Sequence, residues 1–563
     1  MKKLLSMYLS ILAISCLPLE AVLAQSKVSN SPNQSYNVTS FGAQCAGVQV
    51  TDGVSALGSP TIASASGRFT SRMVGWVAVV NFAAAGGRQL VTTVKAYNSA
   101  TSITLLANAG ASSSRETVSL YPDDTDALIK AFGAAAAAKV SIILPAGRIC
   151  GFANPGSNVN RGLSFPALYL NGGQLWLGQT GPTTDTGVSL EPTSDGFKIV
   201  GPGVIDGLYQ TDQGIVQANA AALEFQNGAG TINGVQIVGN VVIQNTKGRA
   251  FSVIRPNNLH ISDLTVRNCG DYKYVPPSGD EEIGRSMCGQ VDGASGNLTI
   301  SNYTSINAAQ SGLLISNSTD PHFHAVLNNL HFFGNAYYGL DVEEIAGTVE
   351  VNKIENRQTE AGGSRSFVFG GSIFLDTRNI EYGNFTHTNM NGNGLVVETQ
   401  PGGKAQIASW NIANGTVSGT SVAHNGGIYI AWQNVGNPER IRLAHIHYDT
   451  INFAPYSAPA CTASNPFLDA LILEDIHASG LARSKATSFA PDGNPNELIY
   501  VKVTDSSLGS IDIASAGANK KELFFDLANV SITGPGSFFG GHMAGIVSGS
   551  AGIRNPQGSF TCP

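Results

Sequence analysis

Four acidic side chains define the chemistry this sequence can offer: Asp341, Glu343, Asp376 and Glu398. They fall in three similar segments, 338–343 (YGLDVE), 371–376 (GSIFLD) and 393–398 (NGLVVE). Two related segments, 311–316 (SGLLIS) and 426–431 (GGIYIA), lack the acids. Each is a glycine followed by alternating apolar and variable residues, the period of a strand. Leu340 and Val342, or Leu395 and Val397, would then face inward, leaving Asp341, Glu343 and Glu398 facing outward. Segment 371–376 fits as the intervening coil, with Asp376 outward. Strands stacked at about 4.8 Å would put all four carboxyls on one face. Two carboxyls, one of them protonated through mutual repulsion, are what glycoside hydrolysis requires. A separation of about 5–5.5 Å gives retention and about 6.5–9.5 Å gives inversion. The competing account is a solvated acidic surface, since the chain holds 39 Asp and Glu.

Candidate substrate-binding residues flank the acids. Tyr338, Tyr429 and Trp432, with Tyr337 beside them, could stack on a sugar face, Tyr429 in the same outward column as Asp341. Arg365 and Lys404 could meet a substrate carboxylate. Together with Arg378 and His387 they support the second reading, a lyase or epimerase acting on a uronate polymer. There the acidic residues would repel the polymer unless calcium bridged them, whereas hydrolysis needs no cofactor. The third reading is a non-catalytic glycan-binding surface protein.

The elements that must position these residues are repeats. Asn307 and Asn335 are 28 residues apart, Asn335 and Asn389 are 54 apart, and Asn245 and Asn268 are 23 apart. A period in the twenties, with short strands between glycine bends and asparagine corners, is the signature of a parallel β-helix.

Three further pieces identify a family resemblance: 41–43 (FGA), 123–128 (DDTDAL) and 144–147 (LPAG). In this order they resemble the N-terminal segment of pectate-lyase-like right-handed parallel β-helix proteins, the polygalacturonase and tailspike type. The resemblance implies an all-β, right-handed, single-stranded parallel β-helix whose first coil is capped by a short helix. Thr125 or Asp124 is placed to cap that helix. Segment 199–207 (IVGPGVIDG) also resembles a stretch of polygalacturonase-like helices that is mainly structural, so Asp206 is not assigned to catalysis. The Asn-Thr-Asp, Asp-Asp, Gly-His-Gly and Arg-Ile-Lys elements of polygalacturonases are absent where they belong, and no catalytic residue carries over. Asp320-Pro-His322 resembles the Asp-Pro-His of alginate epimerases, but Phe323 stands where those have glutamate, and a turn explains it.

The expected layout is a signal peptide (1–24), an N-terminal segment (25–47), an inserted β-rich subdomain (48–121), a parallel β-helix (122–535) and a Gly/Ser-rich tail (536–563). The insert separates pieces that usually lie close together. It would cover the open N-terminal end of the helix or bind glycan. Lys2 and Lys3 before an apolar run, then Val22 and Ala24, predict cleavage near Ala24 and a secreted or periplasmic protein. No later stretch is long and apolar enough to span a bilayer. Six cysteines remain, consistent with disulfides in an exported protein; sequence alone leaves 15 connectivities open, of which the expected one pairs Cys45 with Cys150, Cys269 with Cys288, and Cys461 with Cys562. No close cysteine pair suggests zinc. The second pair would close a projecting loop whose acidic triplet, 280–282, reads as a solvated tip.

The chain has 563 residues, 42% hydrophobic and 13% charged, with 65 glycines and a mean hydropathy of +0.04. That composition suits a large turn-rich β protein. A net charge of −7 gives no nucleic-acid footprint. The expected partner is a polysaccharide, and the sequence leaves the oligomeric state open.

Overall fold

The structure is a computed structural model. It describes residues 35–152, 160–178, 189–209, 221–228, 230–270, 287–357, 370–388, 392–399, 409–418, 427–432, 441–455, 471–478, 487–489, 498–508, 511–513, 522–532 and 543–548. The predicted leader, the 280–282 triplet, Cys461, Cys562 and most of the tail lie outside these residues.

The chain is a right-handed parallel β-helix. Each strand pairs in parallel with one a coil earlier and one a coil later, in one continuous sheet. The alternation seen in sequence becomes stacked columns. Val253, Val291, Ile315, Val342, Phe374, Val397, Ile430 and Phe453 align on successive rungs. All eight are at most 1% exposed and belong to one apolar core running the length of the solenoid. Near the N-terminal end the filling is aromatic, with Phe132, Phe165, Phe197 and Phe225 in successive contact at 5.5, 5.6 and 6.2 Å between ring centres.

Corners are made by left-handed backbone. Asp263, Asn302, Asn329, Lys353, Asn384, Asn414, His445, Asp475, Asp505 and Asn529 form one column with φ between 51° and 60°. Eight of the ten are Asn or Asp, the non-glycine residues that tolerate this conformation best. A second corner stacks Asn245, Asn268 and Asn307, each amide donating to the one before at 3.0 and 3.2 Å. The expected next member, Asn335, is displaced. Register puts Gly334 (φ 63°) at that corner. Asn335 turns back instead, and its Oδ1 accepts from the Ser305 hydroxyl and the Ala308 amide. Asn389 lies outside the described residues.

The glycines that open the acid-bearing strands and the strand before them serve a different purpose from bending. Gly312, Gly339, Gly371 and Gly394 do not need positive φ; they are packed too closely for a side chain. A Cβ on Gly371 would lie 1.5 Å from the carbonyl oxygen of Gly394.

A helix, Thr125–Ala138, covers the first coil, its Leu128, Ala131, Phe132 and Ala135 joining the solenoid core. Asp124 stands at the N-cap but makes no side-chain cap hydrogen bond. Asp123 takes the Thr125 amide at 3.0 Å. The buried Asp124 carboxylate instead accepts amides of Gln44 (2.6 Å), Cys45 (3.1 Å) and Gly151 (3.3 Å), tying the N-terminal segment to the first coil. The Cys45–Cys150 disulfide lies beside it, and Cys269 and Cys288 are also bonded.

Strands Val48–Ser55, Thr61–Ser64, Val77–Val80, Leu90–Ser99, Ser102–Leu105 and Ser113–Tyr121 close into an antiparallel barrel with its own core. Val77, Val79 and Tyr121 pack on Trp176 and Leu208, on the outer flank of the first coils. No helix among the described residues is long and apolar enough to cross a membrane.

Close packing at the glycine column predicts a sharp contrast. Gly371→Ala should destabilise by about 3 kcal/mol or more, since its methyl meets fixed backbone. Gly383→Ala, with its nearest neighbour 3.8 Å away, should change stability by less than about 1 kcal/mol. Urea unfolding midpoints of the two variants check this.

Candidate active site

The acids are presented on one outer sheet face. Register aligns Leu314, Asp341, Ile373, Val396 and Tyr429 in one outward column. The neighbouring column runs Ser316, Glu343, Leu375, Glu398 and Ala431. Asp341 and Glu343 are therefore two residues apart on one strand, and Glu343 and Glu398 are two rungs apart. The intervening rung offers Ile373 and Leu375, not an acid, at these positions. Asp376 falls one residue later, level with Glu344 at a left-handed corner (φ 45° and 53°). The simple alternation expected for 371–376 fails there because the chain turns. Asp376 still acts on Glu398, whose pKa is raised first by burial and then by the Asp376 charge.

The four environments differ. Asp341 is 4% exposed; Ser311 donates to its Oδ2 at 2.9 Å, while Oδ1 has no partner at hydrogen-bond distance. Burial, then the charge of adjacent Glu343, holds the Asp341 pKa well above the usual carboxylate range, so this residue keeps its proton. Glu343 is half-buried, and burial is the main cause that raises it; its interaction with Asp341 favours the ionised form. Glu398 is half-buried and Asp376 buried.

An apolar patch frames the acids from outside: Tyr338, Ile373 and Val396, with Tyr337, Leu375 and Tyr429 against it. Tyr338 was expected to bind substrate, but at 3% exposure it has no ring face to offer and instead supports Tyr337, edge to face at 4.5 Å. Tyr429 is half-buried in the Asp341 column. Arg365, Lys404 and the side chain of Trp432 lie outside the described residues. His387 is not on this face. It is fully buried inside the coil, in a knot with Asn356 (3.0 Å) and Tyr382 (2.8 Å), both of which also bond Ser372. Burial pushes its pKa down to about 3, and it remains neutral.

Sequence reasoning missed Glu191 and Glu224. They occupy the outward column of Asp341 at its N-terminal end, on adjacent rungs, followed by Ser252 and Gln290. Glu191 is pushed up to about 7 by burial and then by the Glu224 charge. Glu224 is raised by burial, offset by Arg249. Their segments, Ser189–Pro192 and Ala221–Phe225, carry the same alternation but lack the leading glycine. Asp206, left aside as structural, is buried and accepts from Leu208, Gln244 and Asn245. Asp320 closes a turn by accepting the His322 amide at 2.8 Å.

No protein-family model and no curated protein matches this chain. Solved structures with similarity include the catalytic unit of a GH87 α-1,3-glucanase from Streptomyces thermodiastaticus (11% identity, TM-score 0.35, covering 91% of this chain and 98% of that one). A tailspike protein of E. coli bacteriophage HK620 with a bound pentasaccharide has 11% identity and TM-score 0.33, covering 74% and 63%. The endo-xylogalacturonan hydrolase from Aspergillus tubingensis has 13% identity and TM-score 0.28, covering 78% and 95%. At these scores the fold rests on the chain's own strand register, and function rests on its own site.

A proton on Asp341 has a signature in stability. The folded chain keeps the proton where the unfolded chain has lost it, so native stability falls as pH rises from about 4 towards the raised pKa. Asn cannot ionise. Asp341→Asn should match the parent near pH 4 and gain on it with pH, by at most about 1.4 kcal/mol per unit. Urea midpoints between pH 4 and 7 check this, and a constant gap would mean that Asp341 ionises normally.

Proposed function

We propose that this chain hydrolyses glycosidic bonds in a polysaccharide, with Glu398 as general acid and Glu343 as general base. The observation that carries this is the placement of two half-buried glutamates on one outward column, each beside a buried aspartate. The aspartates act in opposite senses. Neutral Asp341 favours the carboxylate at Glu343, the form that takes a proton from water. At Glu398, burial and then the interaction with Asp376 favour the protonated form, which can protonate a leaving glycosidic oxygen. Asp341 and Asp376, too buried to meet a polymer, are positioning residues.

Two rungs separate the glutamate backbones by about 9.6 Å. Flexible side chains closing slightly over Leu375 reach the separation of about 6.5–9.5 Å that leaves room for a water, rather than the shorter one of covalent catalysis. The proposed outcome is inversion. A column repeated on stacked rungs suits a linear chain, and the half-buried Tyr429 lies one coil beyond Val396 to meet a sugar ring. The disulfides fit an oxidising compartment, as export would provide. A lyase is less well supported: His387, its candidate base, is enclosed in the core.

Digestion of a glycan panel should yield new reducing ends without an unsaturated product, and NMR of the first product should show inverted configuration. Glu343→Gln and Glu398→Gln should each lower kcat by about 10²–10⁴-fold. Asp376→Asn removes the charge that raises Glu398, so the alkaline limb of the pH profile should move to lower pH. Full activity in both glutamine variants would end this assignment.

A further inference from the structure

We propose that the cleft between the inserted barrel and the asparagine corner of the solenoid is a binding subsite for a neutral oligosaccharide. It is independent of catalysis at Glu343 and Glu398. The cleft has a volume of about 420 Å³, within the range of about 300–1,000 Å³ typical of small-ligand sites. One wall is the barrel, through Gln49, Thr51 and Thr117; the other is the solenoid, through Arg267 and the stacked Asn245, Asn268 and Asn307.

The solenoid wall is fixed in advance of any ligand. Asp206, 1% exposed, takes the Asn245 amide at 3.1 Å; Asn268 donates to Asn245, and Asn307 to Asn268. Arg267 is braced by Gln244 Oε1, which its Nε reaches at 2.7 Å and its Nη2 also contacts. The barrel wall is held by the packing of Tyr121 against Trp176, at 5.5 Å, and by Gln89 Nε2 donating to the Leu208 carbonyl. Side chains held this way lose little freedom when a ligand arrives.

The free valences decide the ligand class. Gln49 gives its Nε2 to Ser119, leaving Oε1 as an acceptor. Asn307 presents its Oδ1 at the open end of the ladder. Thr51 and Thr117 bring hydroxyls that both donate and accept. Arg267 retains the Nη1 donors. A mixed set of this kind matches sugar hydroxyls, which do both. An anionic ligand would find one guanidinium, already shared with Gln244. Ile306 is the one hydrophobic side chain among the described lining residues.

The test uses the full chain carrying Glu343→Gln, titrated by calorimetry with cellopentaose, laminaripentaose, maltopentaose, xylopentaose and tetragalacturonate. At least one neutral pentasaccharide should bind with a millimolar or lower Kd. Adding Thr51→Trp, which fills the cleft from an exposed barrel position, should weaken that binding at least about tenfold. Gln49→Ala, also at an exposed position, should weaken it about threefold or more without lowering Tm. The proposal is overturned if no neutral probe binds at 20 mM (about −2.3 kcal/mol). It is equally overturned if tetragalacturonate binds more tightly than every neutral probe. If Thr51→Trp does not fold, unchanged affinity in folded Gln49→Ala overturns it alone.

Discussion

The parallel register between coils is the constraint on which everything else depends. Every backbone group in a rung must find its partner in the rungs above and below, so one coil fixes the position of the next. An insertion can lengthen a loop, but it cannot move a strand by one residue without turning an entire inner column outward. The columns therefore persist although the repeat length varies, with corners at Asn245, Asn268, Asn307 and Gly334 unevenly spaced in sequence. Left-handed corners are part of the same constraint. They recur at one height of the coil because the chain must turn at the same place on each rung.

That register also creates the unusual electrostatics. Outward side chains on a solenoid are ordinarily solvated, and acids there titrate normally. Around Asp341 the outward column is instead covered, with Ile373 and Val396 at 5% and 3% exposure. Carboxyls in such a covered column lose hydration, and Asp341 also meets the charge of Glu343 on its own strand; both effects oppose ionisation. The same combination recurs at Glu191 and Glu224 at the other end of the sheet. The wall behind these columns is apolar almost throughout. One polar interruption among the described residues, Ser372 with Asn356, Tyr382 and His387, is linked by hydrogen bonds and lies on the rung next to the Asp341 strand.

The barrel adds a second surface without altering the first. Its own core is separate, and it meets the solenoid through a small apolar cluster centred on Tyr121 and Trp176. Docking on the flank leaves a polar cleft beside the asparagine corner, on the same coils that carry Ser252 and Gln290.

The sequence by itself determined the coil. Period-two alternation after a glycine reported correctly which of Leu340, Asp341, Val342 and Glu343 face inward, because in a strand that depends on local geometry alone. It also placed Tyr429 in the column of Asp341, and the cysteine pairs at 45 and 150 and at 269 and 288. It misplaced Asp376 and Asn335 by one residue, since a left-handed corner breaks the alternation and several residues can occupy one. Tyr338 was expected to bind substrate, yet it is buried, because burial depends on what other segments lie over a residue. Only the tertiary structure decided which acids are desolvated, which partner sets each proton, and where the barrel docks. These depend on neighbours tens of residues away along the chain, at distances that no local pattern encodes.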